Sequence, residues 1–467
     1  MSAWILAAQL LTRSANLFPE PAASPEPGQV PSANARALTL DDSVRAAISN
    51  GTTVLKAEYA ERYTGAQLLQ AYGQFLPNLV ASGTCNYTTG TTYSTLANPA
   101  YVVGSGPNAG YTITTDLNLF NGISDYASLT SALLKNEASR LSVFRAKQQI
   151  KLDVLQGYYQ VVLDHWLEDI AKANLEVSHE RERLFAAEVK VGSRHLSDLF
   201  QQQAQTAAQE LQLLSIRDKT LADQLALLKK IRLDVTQGYR FLEPPLHGEN
   251  EEPVPKDEKS LLEVALARRV DLRSSTDLTE AGQWDVRAAR GAYLPRLDLY
   301  AGLSSAAHYL DSLTVNGAGA VPVVQNGLAY QLGQQIEYTA GIQLSWAVFD
   351  RFLTSQTVSR LQTAYSGAQL DLWDLKNSVE SDVRQAYGNY RTVLQQLRTS
   401  DKGVVAARSS FKVLAGRYGV GGVNLLDLLT AQEVLIQAES SYAQALIAFQ
   451  LQTEALRFAT GEMTVEP

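Results

Sequence analysis

Two aspartates stand at matching places in a chain of 467 residues. Asp198 follows Val191-Gly192-Ser193 and Asp427 follows Val420-Gly421, each one to two helical turns past its glycine. Two chemistries suit such a carboxylate. One is a fixed charge at a narrow mouth, which attracts cations and sets an electrostatic barrier. The other is local: Asn424 reads as a helix N-cap, with Asp427 at the third helical position, where the helix dipole favours an acid. Spacing alone favours the cap. Arg194, Ser197 and Tyr418 flank the same turns, either bridging neighbouring hairpins or standing as solvated turn residues. The five histidines, His165, His179, His195, His247 and His308, show no metal-ligand spacing. His179 lies in a Ser-His-Glu-Arg-Glu-Arg run that reads as a solvated helix face. Gly-x-Ser-x-Gly, a phosphate-binding Walker loop and His-Glu-x-x-His are all missing, so no catalysis, cofactor or metal is expected.

The composition narrows the class further. A hydrophobic share of 45% with 19% charged residues excludes wholesale disorder. The single cysteine, Cys85, excludes an intrachain disulfide. A net charge of −8 argues against general binding to a nucleic-acid backbone. No run approaches the ~18–20 apolar residues of a spanning helix, so any crossing of a membrane must use strands. Trp4–Leu11 is short and apolar like the core of an export signal, but no Lys or Arg precedes it. Ala33-Asn34-Ala35 has cleavage-site character yet lies far downstream of that core. Pro19 to Pro31 reads as an extended linker.

The elements that position the two aspartates come in two copies. Ala71-Tyr72-Gly73-Gln74-Phe75-Leu76-Pro77-Asn78-Leu79 recurs as Ala289-Arg290-Gly291-Ala292-Tyr293-Leu294-Pro295-Arg296-Leu297. From Pro77 to Pro295 the shift is 218 positions; from Phe120 to Phe349 it is 229, and there it holds. Asp153, Gln156 and Tyr158 map onto Asp382, Gln385 and Tyr387, Val191-Gly192 onto Val420-Gly421, and Asp198 onto Asp427. The chain is a tandem duplication. The division is a signal segment and proline-rich linker over 1–37, a first repeat over 38–240, an acidic linker over 241–258 and a second repeat over 259–467.

Each repeat opens with a helix and continues into two period-two stretches, 79–88 and 110–120, then 297–305 and 338–349. Each has one apolar and one small or polar face and the length of a tilted membrane strand. A half-buried sheet on a soluble domain alternates in the same way. The loops Thr88–Gly110 and Ser305–Glu337 are long and rich in Gly, Asn, Ser and Tyr, and aromatics sit near the strand ends, which favours the membrane reading. Phe120 to Gly192 and Phe349 to Gly421 contain no proline and predict very long helices. Their return helices carry 3-4 stripes, Ala204, Ala207, Leu211, Leu214, Leu221 and Leu225 in the first copy, and Ala431, Leu435, Ala438, Tyr442, Ala445 and Phe449 in the second. Helices this long cannot bury such stripes within one chain, so partner subunits are implied.

These pieces together resemble the TolC-like family of outer-membrane efflux and type I secretion channels. The resemblance spans about Leu38 to Glu462. It is carried most specifically by Tyr418-Gly419-Val420-Gly421 followed by Leu425-Leu426-Asp427-Leu428-Leu429-x-Ala431-Gln432-x-x-Leu435, by the two Leu-Pro elements, and by Leu38-Thr39-Leu40-Asp41-Asp42. It implies a mostly helical homotrimer in which each chain gives four strands to a twelve-stranded barrel in the outer membrane. The long hairpins would form a periplasmic tunnel narrowed at its tip by acidic rings, here Asp198 and Asp427. A periplasmic adaptor and an inner-membrane pump would be its partners. The resemblance has two departures. The family's lipidated N-terminal cysteine has no counterpart, so the chain looks unlipidated. Where the family can place Arg before its second-turn Asp and another Asp three residues after it, this chain has Val423 and Thr430, with its Arg at Arg194 of the first turn. The alternative function is a periplasmic coiled-coil scaffold or adaptor without a channel, against which two hairpins in register count.

Overall fold

The computed structural model describes residues 36–94, 100–245, 257–309, 312–315, 325–419 and 422–465. The N-terminal segment and its proline-rich linker, most of the acidic linker, His247 and Gly421 lie outside them.

The first repeat begins with β1 (Arg36–Leu38) and the helices α1 (Leu40–Asn50) and α2 (Thr52–Gly73). Thr39 caps α1 by accepting from the Asp42 N–H at 3.1 Å, with Asp41 and Asp42 in the first turn, where the dipole favours acids. The strands β2 (Val80–Ser94) and β3 (Ala100–Phe120) follow, then α3 (Ser124–Lys190) and α4 (Leu196–Ile231). A short strand β4 (Tyr239–Phe241) pairs in parallel with β1. The second repeat runs α5 (Glu258–Arg268), α6 (Val270–Arg290), β5 (Arg296–His308), β6 (Ser312–Val315), α7 (Leu328–Gln334), β7 (Ile336–Ser345), α8 (Leu353–Gly419) and α9 (Leu425–Ala459). Both α3 and α8 are 67 residues long, about 100 Å at 1.5 Å per residue. No helix among the described residues is long and apolar enough to cross a membrane.

The strands lie in the order β2-β3-β5-β7, all antiparallel, with β6 alongside the outer part of β3. The register puts Ile113, Leu303 and Tyr338 in one row and Leu117, Leu299 and Ile342 in another, both on one face. Thr112 and Ser304, with Asp116, Tyr300 and Gly341, share the opposite face. Gly341 belongs there because a Cβ would lie 2.7 Å from the Tyr300 hydroxyl, so its missing side chain lets that ring lie across the sheet. Two loop expectations are corrected. Thr88 to Gly110 is mostly strand, paired without a break from Val80↔Thr114 to Ser94↔Ala100. Within Ser305–Glu337 lie the last turns of β5, β6 and α7. β7 ends at Ser345, so Trp346 and Phe349 fall in the turn that follows. Runs of Gly, Thr and Tyr look loop-like by composition, but cross-strand pairing orders them.

The two junctions between strand and long helix share one backbone geometry. Between strand and long helix, Gly122 and Ile123 have φ of 68° and 65°; their second-repeat equivalents Arg351 and Phe352 have 58° and 65°. Three of these four are not glycine, so both junctions hold strain of order 1–2 kcal/mol per residue. Gly122 also meets Gly291, whose carbonyl oxygen would lie 2.5 Å from an added Cβ, and so locks the two repeats together below the sheet.

Two cores sit near the middle of the hairpins. The first gathers Val44, Val54, Val154, Tyr158, Leu227, Ile231 and Ile447; the second gathers Leu272, Val379, Val383, Tyr390, Phe449 and Leu456. Arg269, only 5% exposed, ties the second to the first. It bonds Asp271 at 2.6 Å and Asp382 at 3.0 Å, and Asp271 also meets Arg145 of α3 at 3.4 Å. Burial alone would raise the Asp271 carboxyl, but the two guanidinium groups hold it below the usual aspartate range.

Candidate functional site at the hairpin tip

The two hairpin turns close with the same backbone bond. Ser193 N–H donates to Glu188 O at 3.0 Å, and Gly422 N–H donates to Arg417 O at 2.8 Å, 229 positions on. Such a bond, spanning five residues, is the closure that ends a helix through a left-handed residue, which in the first turn is Gly192 at φ 80°. Each turn then delivers its aspartate to the same place. Asp198 and Asp427 are both the third residue of the returning helix.

Their surroundings differ. Asn424 caps α9, its side chain accepting from the Asp427 N–H at 2.8 Å. Asp427 is exposed, and among the described residues no cation pairs with it. The first turn has His195 at the cap position, with no side-chain cap bond. There Arg194 does the work, with Nε 2.5 Å from Glu188 and Nη1 3.5 Å from Asp198. Its guanidinium lies 3.8 Å from the centroid of the buried Phe185 ring and 5.5 Å from that of Tyr418, on α8. Stacking on two rings while forking to two carboxylates suits arginine's planar charge. Burial alone would lower the Arg194 pKa, yet the Glu188 bond and Tyr418 raise it, so it stays charged. Burial pushes the Tyr418 hydroxyl up, with Arg194 pulling the other way. Ser197 bonds only weakly to Asp198, at 3.4 Å, and does not reach the second turn.

Arg194 and Tyr418 thus meet across the two hairpins of one chain. The sequence signals missed Glu188 and Phe185, because the partners of Arg194 lie back across a turn. A second missed contact runs along the same interface, where Arg181 of α3 bonds the buried Gln432 of α9.

Further up the first hairpin lies a charged seam. Asp164, 1% exposed, receives Lys219 Nζ at 2.5 Å, and Lys219 also bonds Asp223 at 3.0 Å. Burial raises the Asp164 carboxyl, whereas Asp223 is held low, against its own burial, by its bonds to Asp164 and Lys219. The corresponding residues in the second repeat are Val393, Ala448 and Gln452.

Among known proteins, residues 261–462 match the family model described as outer membrane efflux protein. That match lies within the second repeat. The outer membrane protein TolC of Escherichia coli is 24% identical over 211 residues, 45% of this chain and 41% of TolC. The chain therefore spans about two fifths of the TolC length in that match. Longer matches reach the alkaline protease secretion protein AprF of Pseudomonas aeruginosa and the pyoverdine export outer membrane protein OpmQ of Pseudomonas putida. AprF is 24% identical over 71% of this chain and 65% of its own length; OpmQ is 26% identical over 71% and 66%. Two solved structures carry the fold over 90% of this chain. The outer membrane protein VceC of Vibrio cholerae has a TM-score of 0.74 at 16% identity and is covered over 96% of its length. The outer membrane channel CmeC of Campylobacter jejuni has 0.75 at 17% and is covered over 85%. The resemblance read from the repeats, strands and hairpins is borne out, and with it the outer-membrane location of this family. By their names, AprF is a secretion protein, OpmQ an export protein, CmeC a channel, and TolC and VceC outer membrane proteins.

Proposed function

We propose that the protein is the outer-membrane channel of a tripartite efflux pump or type I secretion system, a passive conduit for small molecules or proteins. Three copies join their strands into one twelve-stranded barrel and their hairpins into one tunnel. The observation that carries this reading is a sheet with one apolar and one polar face that runs directly into two 67-residue helices. The edge strands β2 and β7 supply the pairing surfaces for neighbouring copies. The exposed stripe of α4, with Leu211 at 68%, Leu214 at 55% and Leu221 at 50% exposure, supplies packing surface for them lower down. A periplasmic adaptor and an inner-membrane pump provide docking and energy, since nothing in the channel consumes fuel.

At the tip, three copies would bring three Asp198 and three Asp427 together as rings of carboxylates. Arg194 half-neutralises the Asp198 ring and pins the first turn to α8 through Tyr418, so Asp427 carries the stronger field. Outer-membrane fractions should yield a heat-modifiable trimer that requires detergent and conducts in planar bilayers. A freely soluble monomer overturns the channel reading in favour of the scaffold. Asp427→Ala should weaken cation preference and block by multivalent cations more than Asp198→Ala does, with the trimer intact in both. Unaltered selectivity in the double variant leaves Asp427 only its place in the capped first turn.

A further inference from the structure

α7 lies on the sheet rather than beyond it. The Leu332 carbonyl accepts from Ser305 Oγ at 2.9 Å and from the Tyr111 hydroxyl at 3.5 Å. Ser305 and Tyr111 are register partners, and both belong to the apolar face that also holds Ile113, Leu303, Tyr338 and Ile342. Gln331 clasps the end of β5 in both directions, accepting from His308 N–H at 3.0 Å and donating to His308 O at 2.9 Å. Beneath the helix, Ser305 and Ala307 are 4% and 0% exposed, unlike the open rows below them.

Two further features fix what α7 faces. It sits on β5 and β3, the inner pair of the four-strand path, so copies pairing at β2 and β7 leave it uncovered. Its height also matches a boundary. The eight residue steps from Leu344 to Ile336 cover roughly 21 Å across a membrane at ~3.4 Å each and a ~40° tilt, close to the ~25 Å apolar band of outer-membrane barrels. Trp346 marks the lower edge of that band, and the Ser305–Ile336 row carrying α7 marks the upper. Leu328, Gln331 and Leu332 turn toward the sheet, while Ala329 and Tyr330 are exposed, and the helix carries no charge.

We infer that α7 is a membrane-interface element, riding on the outward face of the sheet with Tyr330 among the lipid headgroups of the outer leaflet. The inference rests on the barrel reading above. It gives this barrel an amphipathic aromatic on a helix where barrels ordinarily use strand residues for the girdle.

Nitroxide labels on single cysteines in a Cys85→Ser background, in trimers reconstituted into phospholipid bilayers, test it by accessibility to oxygen and to a nickel chelate. Ile342→Cys should read as lipid-buried, Thr339→Cys as aqueous and Tyr330→Cys at headgroup depth, between the two. Adding Gln331→Ala, which opens the clasp, should shift the label at 330 toward the aqueous value. Tyr330→Cys reading as fully aqueous while Ile342→Cys reads as buried overturns the inference and leaves the barrel standing. An aqueous reading at Ile342 overturns both.

Discussion

The two hairpins share length, turn geometry and the place of an aspartate, yet they are held together by different physics. Where α3 meets α4, the seam contains Asp164, Lys219 and Asp223; at the same level of α8 and α9 stand Val393, Ala448 and Gln452. The return helices differ as well. α9 packs against both α8 and α3, and its stripe is covered at Ala431, Ala445 and Phe449. α4 leans mainly on α3, burying Gln202, Thr206, Leu213 and Thr220, while its apolar stripe stands open. A helix with two neighbours can be apolar all round; one with a single neighbour divides its surface between that neighbour and whatever comes next. The first return helix is therefore the polar, register-specified one, and the second is the one whose apolar stripe is covered. Buried ion pairs specify alignment more than they add stability.

The sharpest way to break this comparison is to remove the cation from the charged seam. Lys219→Met leaves Asp164 and Asp223 facing each other and should cost about 2 kcal/mol in denaturant unfolding. That is below the ~3–5 kcal/mol of a fully buried pair, because the Lys219 side chain is 55% exposed. Converting the seam to its second-repeat form, with Asp164→Val, Lys219→Ala and Asp223→Gln together, should instead be neutral or stabilising by about 1–3 kcal/mol. If the triple variant loses more than the single one, the seam is a source of stability and the contrast fails.

The turns offer a smaller test. Asn424→Ala removes the cap of α9 and should cost about 1 kcal/mol, while His195→Asn, supplying the first turn with the cap it lacks, should gain about 0.5 kcal/mol. Equal losses from both changes would mean that the first helix start depends on His195 for another reason.

The smallest effect is in pH. Because burial raises the Asp164 pKa, the stability it contributes is complete below the ordinary aspartate pKa and is lost as pH rises through its folded value. Asp223, held low, acts with the opposite sign and only at more acid pH. Native-state hydrogen exchange should therefore show protection around Asp164 declining as pH rises above the ordinary aspartate range, after correction for intrinsic rates. Protection around Val393 should stay flat, and the slope at 164 should vanish in the triple variant.

Much of this was legible in the chain itself. Repeats at a constant shift, period-two runs after each Leu-Pro, proline-free stretches and paired turn glycines are local patterns, and local sterics and hydrogen bonding are enough to read them. So was the Asn424 cap, because a cap and its N–H lie within one turn. The tertiary structure alone decided which of two similar stripes is covered, since burial depends on how many neighbours a helix acquires, and the stripe carries no count of them. It alone brought Tyr418 to Arg194 across 224 positions of chain and joined Asp164 to Lys219 across the width of a hairpin. It alone turned a Gly- and Tyr-rich loop into paired strand and seated α7 against Ser305. Each of these is a meeting of groups far apart in sequence, and the free energy that holds them exists only once the long helices and the sheet have fixed their distance.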